Sequence, residues 1–353
     1  MGYRILVRRF LALLVLCLGL TPGIALREAP ARHEDVLDLQ IVRLSVPPRE
    51  EYAEHLGPFE LEAIWQIASF LSTFGGFSAL LPPESGEINA ISDKGWQLRF
   101  TPSGSPDGEP LFRKIYPAKP SPPFVNDIEA ATSDPISGNV WLINEGRPAF
   151  ARFGPGMQLE ASVMPEAMKS WNGNFAAEAV TRLSDGRFVV LREAFTGWFE
   201  NIEHDALIFD SDPVEWAKGK PFKVRGPVGF SPTEMVQLPD GRLLVLMRRM
   251  VWPHPARFAG RIAIGDPQQI EEGQIWQLEE AAWLTSTLPI DNFEGMAIEL
   301  RPDGRLNVWL ISDDNGSVVQ RTLLWKLSVD PADLPGTQSE AQQNTAPLSD
   351  GPD

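Results

Sequence analysis

Cysteine is almost missing from this chain of 353 residues: there is one, Cys17. It lies inside the apolar run Phe10–Leu20, and the residue before it, Leu16, is too large for a lipoprotein signal. A mature chain without that run has no thiol to oxidise, so its stability in an oxidising compartment must come from packing. Histidine is scarce as well, four in all, and His204 and His254 stand apart, without HxH or HExxH spacing. That excludes a conventional zinc site and makes both read as satisfied polar groups rather than general bases. No serine sits in a complete GxSxG. GGFS at 75–78 lacks the final glycine and the strand-to-helix setting, so Ser78 is not a nucleophile elbow. Helical periodicity is nearly absent, which excludes a parallel α/β fold.

Positive charge is also short. Lysine and arginine total 31 against 47 acids, a net charge of −16. Such a chain repels nucleic acid and anionic membranes at long range, so an anionic substrate must be met by local arginines or by a metal. The one long apolar run is shorter than the roughly 20 residues a spanning helix needs. Arg4, Arg8 and Arg9 precede it and Gly23 and Ala25 follow, the pattern of a secretory signal cleaved near Ala25. Its removal leaves 28 basic residues against 47 acidic ones, a mature charge near −19. The expectation is a bacterial protein, periplasmic or secreted, with no membrane insertion after cleavage.

What the chain does have is repetition. Residues 1–25 form the signal, 36–330 a single domain, and 331–353 a polar, Pro-rich tail read as disordered. Within the domain, five segments share one pattern of a polar residue, an apolar strand, a tight turn and a second apolar strand. They are residues 74–94, 126–147, 176–193, 232–249 and 292–314. The turns SGN (137–139), SDG (184–186), PDG (239–241) and PDG (302–304) are hairpin formers, so Asp185, Asp240 and Asp303 are turn residues. Second strands such as RLLVLM and NVWLIS are apolar on both faces, as in a strand covered from both sides. Two more strands follow most hairpins, including a run read as one strand, QIWQLEEAAWL (274–284). Four strands per repeat of about 50 residues predict an all-β fold, a propeller of antiparallel four-stranded blades. Five blades are expected, with room for six, and the ring is closed by an N-terminal strand from 38–46 or 59–69.

In a hairpin, the start of the first strand and the end of the second share one end. Glu129, Glu178, Glu234 and Glu294, placed equivalently, therefore gather at one mouth with Asp127 and Asp291. Asp93, Glu145, Glu193, Asp313 and Asp314 join them from the strand ends, with the cations Lys94, Arg147, Arg192, Arg248, Arg249 and Arg321. Converging carboxylates bind a hard cation such as Ca²⁺, and arginine forks hold a phosphate or carboxylate. The alternative is structural, with each Glu accepting backbone N–H bonds or pairing with an arginine. Trp171, Trp198 and Trp252 fall between strands, as a ligand platform or as packing between blades.

FGGFSALL, NDIEA, FAAEAV and above all DNFEGMAIELRPDGRLNVWLISDDN followed by QRTLLWKL resemble the phytase-like β-propeller family, which carries an esterase-like activity. The resemblance spans nearly all of 36–330 and implies an exported bacterial propeller that hydrolyses an ester, perhaps phosphoric. Glu129, Glu178, Glu294, Asp313, Asp314, Asn315 and Arg321 match its pattern. The chain departs from phytate-degrading propellers in lacking a DDPA-type run and a dense lysine lining.

The leading expectation is a metal-assisted hydrolase of a small anionic ester or phosphoester, working as a monomer. A divalent metal, Ca²⁺, would be held by Glu129, Glu294, Asp313, Asp314 and Asn315, and Glu178, Glu234, Arg192, Arg248 and Arg321 would serve the reaction. A lactonase-type enzyme using Asn126 and Asn315, and a non-catalytic envelope propeller with tryptophan contacts, are the alternatives.

Overall fold

Each hairpin turn places its glycine in the left-handed region, with φ of 73° at Gly138, 92° at Gly186, 96° at Gly241 and 85° at Gly304. The preceding aspartates cap the turns as expected: Asp185, Asp240 and Asp303 accept the backbone N–H of Arg187, Arg242 and Arg305 at 3.0, 3.0 and 3.1 Å. The turns thus pin the register of five antiparallel hairpins. The computed structural model describes residues 37–103, 109–115, 127–144, 148–171, 177–193, 203–216, 218–251, 257–284 and 287–336.

These hairpins are the inner halves of five blades. Blade 1 runs Phe77–Glu84, Glu87–Ser92, Trp96–Phe100, Leu111–Lys114. Blade 2 runs Ile128–Ser133, Val140–Asn144, Ala149–Phe153, Leu159–Val163. Blade 3 runs Ala177–Arg182, Phe188–Arg192, Glu203–Phe209, Gly219–Arg225, and blade 4 Ser231–Gln237, Leu243–Met250, Phe258–Gly265, Glu279–Leu284. Blade 5 combines Asn292–Leu300, Leu306–Asp313 and Thr322–Val329 with the N-terminal strands Glu60–Ala68 and Gln40–Leu44. The ring is therefore closed through Glu60–Ala68, which pairs with Thr322–Val329, and the blade number is five. Both N-terminal stretches proposed for closure are used, one behind the other, which removes the room for a sixth blade.

The doubly apolar strands follow from how blades stack. Five hydrophobic clusters occupy the five spaces between successive blades. In blade 4, Leu243, Val245 and Met247 pack toward blade 3, while Leu244 and Leu246 pack toward blade 5. Strand alternation thus serves two cores at once, and each fully buried leucine contributes about 2 kcal/mol of transfer free energy.

Two boundaries differ from the sequence reading. The run 274–284 is split: Ile275–Gln277 pairs in parallel with Gly219–Arg225 of blade 3, and Glu279–Leu284 completes blade 4. The break at Leu278 lets Trp276 fill the core between blades 3 and 4. The packed chain also continues beyond 330, through a 3-10 turn at Pro331–Asp333 to the buried Leu334, whose carbonyl accepts from Arg242 at 3.2 Å. Among the described residues no helix is long and apolar enough to cross a membrane. The signal segment, 1–25, and the tail from 337 lie outside the described residues.

Candidate functional site

All five inner strands carry a bulge at their start, where two residues oppose one on the partner strand. The extra residue is Ser78, Glu129, Glu178, Thr233 and Glu294 in blades 1 to 5. A bulge breaks the alternation and re-aims a side chain, and here it does so at the same level around the axis. The two hydroxyl residues tie neighbouring blades together: Ser78 donates to the carbonyl of Ile128 at 2.6 Å and Thr233 to that of Phe293 at 3.4 Å. The other three positions place Glu129, Glu178 and Glu294 at the mouth.

Glu234 is not equivalent to these glutamates. It lies one residue past the bulge, where the other blades have Ala79, Ala130, Ala179 and Gly295. It is 1 % exposed, one carboxyl oxygen accepts the N–H of Met235 at 3.0 Å, and the other has no partner. Burial pushes its carboxyl well above the usual range.

The register also aligns a second level. One residue past the partner of the position that precedes each bulge stands Asp93, Glu193, Arg248 or Asp313 in blades 1, 3, 4 and 5. Its counterpart in blade 2, Glu145, lies outside the described residues, as do Asn126 and Arg147. Arg248 is the hub. Its guanidinium is 3.3 Å from Glu294 and 3.7 Å from Glu193, and the charges of Glu178 and Glu129 act on it as well. Burial works against its charge, but these four carboxylates keep it protonated beyond its ordinary value. Burial raises Glu294 and Glu193, and Arg248 opposes the rise in both. The side-chain amide of Asn292 donates to Glu294 at 2.7 Å, while its buried carbonyl oxygen has no partner.

The blade 5 and blade 1 side has less compensation. Asp313 is 6 % exposed, and burial, with the charges of Glu294, Asp93 and Asp314, lifts its carboxyl well above normal. Asp93 is pushed up to about 6, first by burial and then by Asp127 and Asp314, against the pull of Lys94. Asp314 is committed to the scaffold: it accepts the N–H groups of Gly76 and Gly316 at 3.1 and 3.0 Å and the hydroxyl of Thr322 at 3.1 Å. A Cβ on Gly75 or Gly76 would run into Asp314 or Asp93, so two glycines with positive φ let blade 1 approach these carboxylates. Asn315 is an exposed turn residue with φ of 50°, and its N–H donates to Asp313 at 2.6 Å.

Two expected arginines are engaged elsewhere. Arg192 donates to Asp205 at 3.0 Å and lies over the ring of the buried Trp171 at 5.9 Å. Arg321 is anchored by its N–H to Asp291 at 3.0 Å, with its guanidinium 3.8 Å from the same carboxylate. His204 is buried with Nε2 3.0 Å from the carbonyl of Phe230, and burial lowers its pKa, which keeps it neutral. Trp198, Trp252 and His254 lie outside the described residues. Among the described residues no three carboxylate or imidazole side chains meet in an arrangement that holds a metal ion. Sequence spacing missed the central place of Arg248 and the part played by Asn292. The signal was there in the register, because Arg248 is the one basic residue at a level that is otherwise acidic.

The family model for phytase-like proteins, described as esterase-like activity of phytase, matches residues 72–316. Among solved structures, glutaminyl cyclase from Myxococcus xanthus aligns at 12 % identity and TM-score 0.44 over 77 % of this chain and 97 % of its own. The α-L-arabinofuranosidase from Podospora anserina aligns at 11 % and 0.42 over 71 % and 91 %, and the aldose sugar dehydrogenase from Streptomyces coelicolor at 11 % and 0.40 over 76 % and 98 %. No curated protein matches significantly.

Proposed function

The chain belongs to the phytase-like family, and on that premise we propose that it is an exported hydrolase of an ester or phosphoester, acting where Arg248 meets the carboxylates of the mouth. The observation that carries this reading is the division of labour among those acids. Glu294 has an arginine and an amide donor to favour its charged form, whereas burial and the neighbouring charges of Glu294, Asp93 and Asp314 raise Asp313 with no guanidinium to oppose them. Of two neighbouring carboxyls, the one beside a guanidinium ionises more readily than the one without, the asymmetry that acid and base catalysis at one pH requires. In this reading Glu294 takes a proton from the attacking water, and Asp313 gives one to the leaving oxygen. Arg248 holds Glu294 and Glu193 in place and limits the negative charge the substrate meets.

A divalent cation is the cofactor this reading implies. Two oxygen donors suit a hard ion such as Ca²⁺, since Asp93 lacks a balancing guanidinium and the buried amide oxygen of Asn292 has no partner, while no three acidic side chains converge as metal ligands among the described residues. Asp93 and the amide oxygen of Asn292 would contribute to holding it, in place of Asp314 and Asn315 and with Asp313 left to act as the acid, and it would polarise the ester oxygen as a Lewis acid. The test is turnover of aryl carboxylic esters, phosphate monoesters, phosphate diesters and lactones by the purified chain, with calcium and with EDTA. Glu294→Gln is expected to lower turnover at least about 100-fold, the usual worth of a general base. No turnover of any of these substrates, with or without calcium, sinks the proposal, and turnover of lactones alone selects the lactonase reading.

A further inference from the structure

Arg249 follows Arg248 on the same strand, so it leaves by the opposite face, outside the carboxylate cage. It is exposed, and among the described residues no carboxylate pairs with it. Yet it is braced. Its guanidinium lies 4.6 Å from the ring centre of Phe230, which is 3 % exposed and fixed in the core between blades 3 and 4. Gly229 beside it has φ of 77°, and a Cβ there would sit 3.5 Å from the Arg249 guanidinium. Stacking uses the face of the guanidinium and leaves its N–H edge free for hydrogen bonds.

A second guanidinium shares that ring. Arg261 also lies 4.6 Å from the centre of Phe230 and 4.3 Å from that of Trp283, and its Nε donates to Glu280 at 2.9 Å. Glu280 balances Arg261 and leaves Arg249 unbalanced. Two like charges over one phenyl ring repel, and that repulsion is relieved when an anion joins them. By contrast Arg192 is neutralised by Asp205, Arg321 faces Asp291, and Arg248 is surrounded by glutamates.

We propose that Arg249, stacked on Phe230 beside Arg261, is an oxyanion-binding site at the rim of the mouth, taking the phosphate or carboxylate group of the substrate. The placement next to the reaction rests on the hydrolase reading, whereas the anion site itself does not. A planar fork with a free edge suits two oxygens of one group.

Binding is measured by isothermal titration of the full chain at low ionic strength with inorganic phosphate, then with acetate, for the wild type, Arg249→Gln and Arg249→Lys. Phosphate is expected to bind the wild type, about 10-fold more weakly to Arg249→Gln and by an intermediate factor to Arg249→Lys, which keeps the charge without the fork. Acetate binding as well as phosphate assigns carboxylate groups to the site, and phosphate binding alone assigns phosphoesters. No phosphate or acetate binding by the wild type, or equal affinity in Arg249→Gln with an unchanged melting temperature, overturns the proposal. Ester turnover with an unaltered KM in Arg249→Gln also overturns it and leaves the hydrolase standing. Anion binding lost in Arg249→Gln from a chain that turns over no ester keeps the site and removes the hydrolase.

Discussion

Arg248 holds a position that is acidic in the other blades, and it faces at least two carboxylates with its side chain 22 % exposed. Removing one partner of a buried ion pair leaves charge without compensation. Arg248→Gln is expected to cost about 2 kcal/mol or more in urea unfolding at pH 7, with the partial exposure lowering the full buried-pair value. The cost should shrink at pH 5 as Glu193 and Glu294 take up protons. Asp93 makes the pH dependence specific. Its carboxyl ordinarily titrates at 3.8 and in the fold at about 6, so the folded chain holds that proton more tightly than the unfolded one. The penalty for ionising it is absent below pH 3.8 and complete above about 6. Glu234, Glu294 and Asp313 shift in the same direction. Stability by chemical denaturation should therefore rise as pH falls from 7.5 to 5, and Asp93→Asn should flatten that rise. Below about pH 4 the trend reverses, because Asp134, Asp185 and Asp205, held low by hydrogen bonds and cations, then lose their partners. A wild-type stability that falls steadily from pH 7.5 to 5 would contradict this account.

At the scale of elements, the bulges and the Asp314 latch matter more than strand propensity. Asp314 directly follows the second strand of blade 5 and accepts the N–H of Gly76 at the entrance of blade 1, so it joins the last blade to the first. Asp314→Ala strips acceptors from two backbone N–H groups and one hydroxyl, a loss of about 2 kcal/mol read as a lower melting temperature. A metal-ligand role would instead make calcium protection, rather than the melting temperature of the metal-free chain, the quantity that changes. The bulges explain one misreading. Thr233 takes the place of a glutamate in blade 4, and Glu234 follows it by one residue, so counting acids along the chain made Glu234 equivalent to Glu294. A shift of one residue in a strand turns a mouth group into a buried one.

At the scale of the whole molecule, the ring is held by Glu60–Ala68 paired with Thr322–Val329, where Ile64 sits opposite Trp325. Proline at position 64 removes a ladder hydrogen bond in a central strand. Ile64→Pro is expected to speed hydrogen exchange throughout 322–329 and to broaden thermal unfolding, while the amides of blade 3 keep their protection at first. Uniform loss of protection in all five blades would mean that closure and blade stability are a single cooperative unit.

The hairpins, their turns, the doubly apolar strands and the closure by an N-terminal strand were legible in the sequence, because each depends on local chemistry: glycine at positive φ, an aspartate cap, and a period of two. The gathering of acids at one mouth was legible for the same reason, since strand direction alone decides which end a residue reaches. Tertiary structure decided what those acids do. Whether a carboxylate meets Arg248, as Glu294 does, or two backbone amides, as Asp314 does, or nothing, as one oxygen of Glu234 does, depends on bulge register and on residues brought from other blades. Burial and distance between blades set charge states and free donors, and neither quantity is carried by residue order.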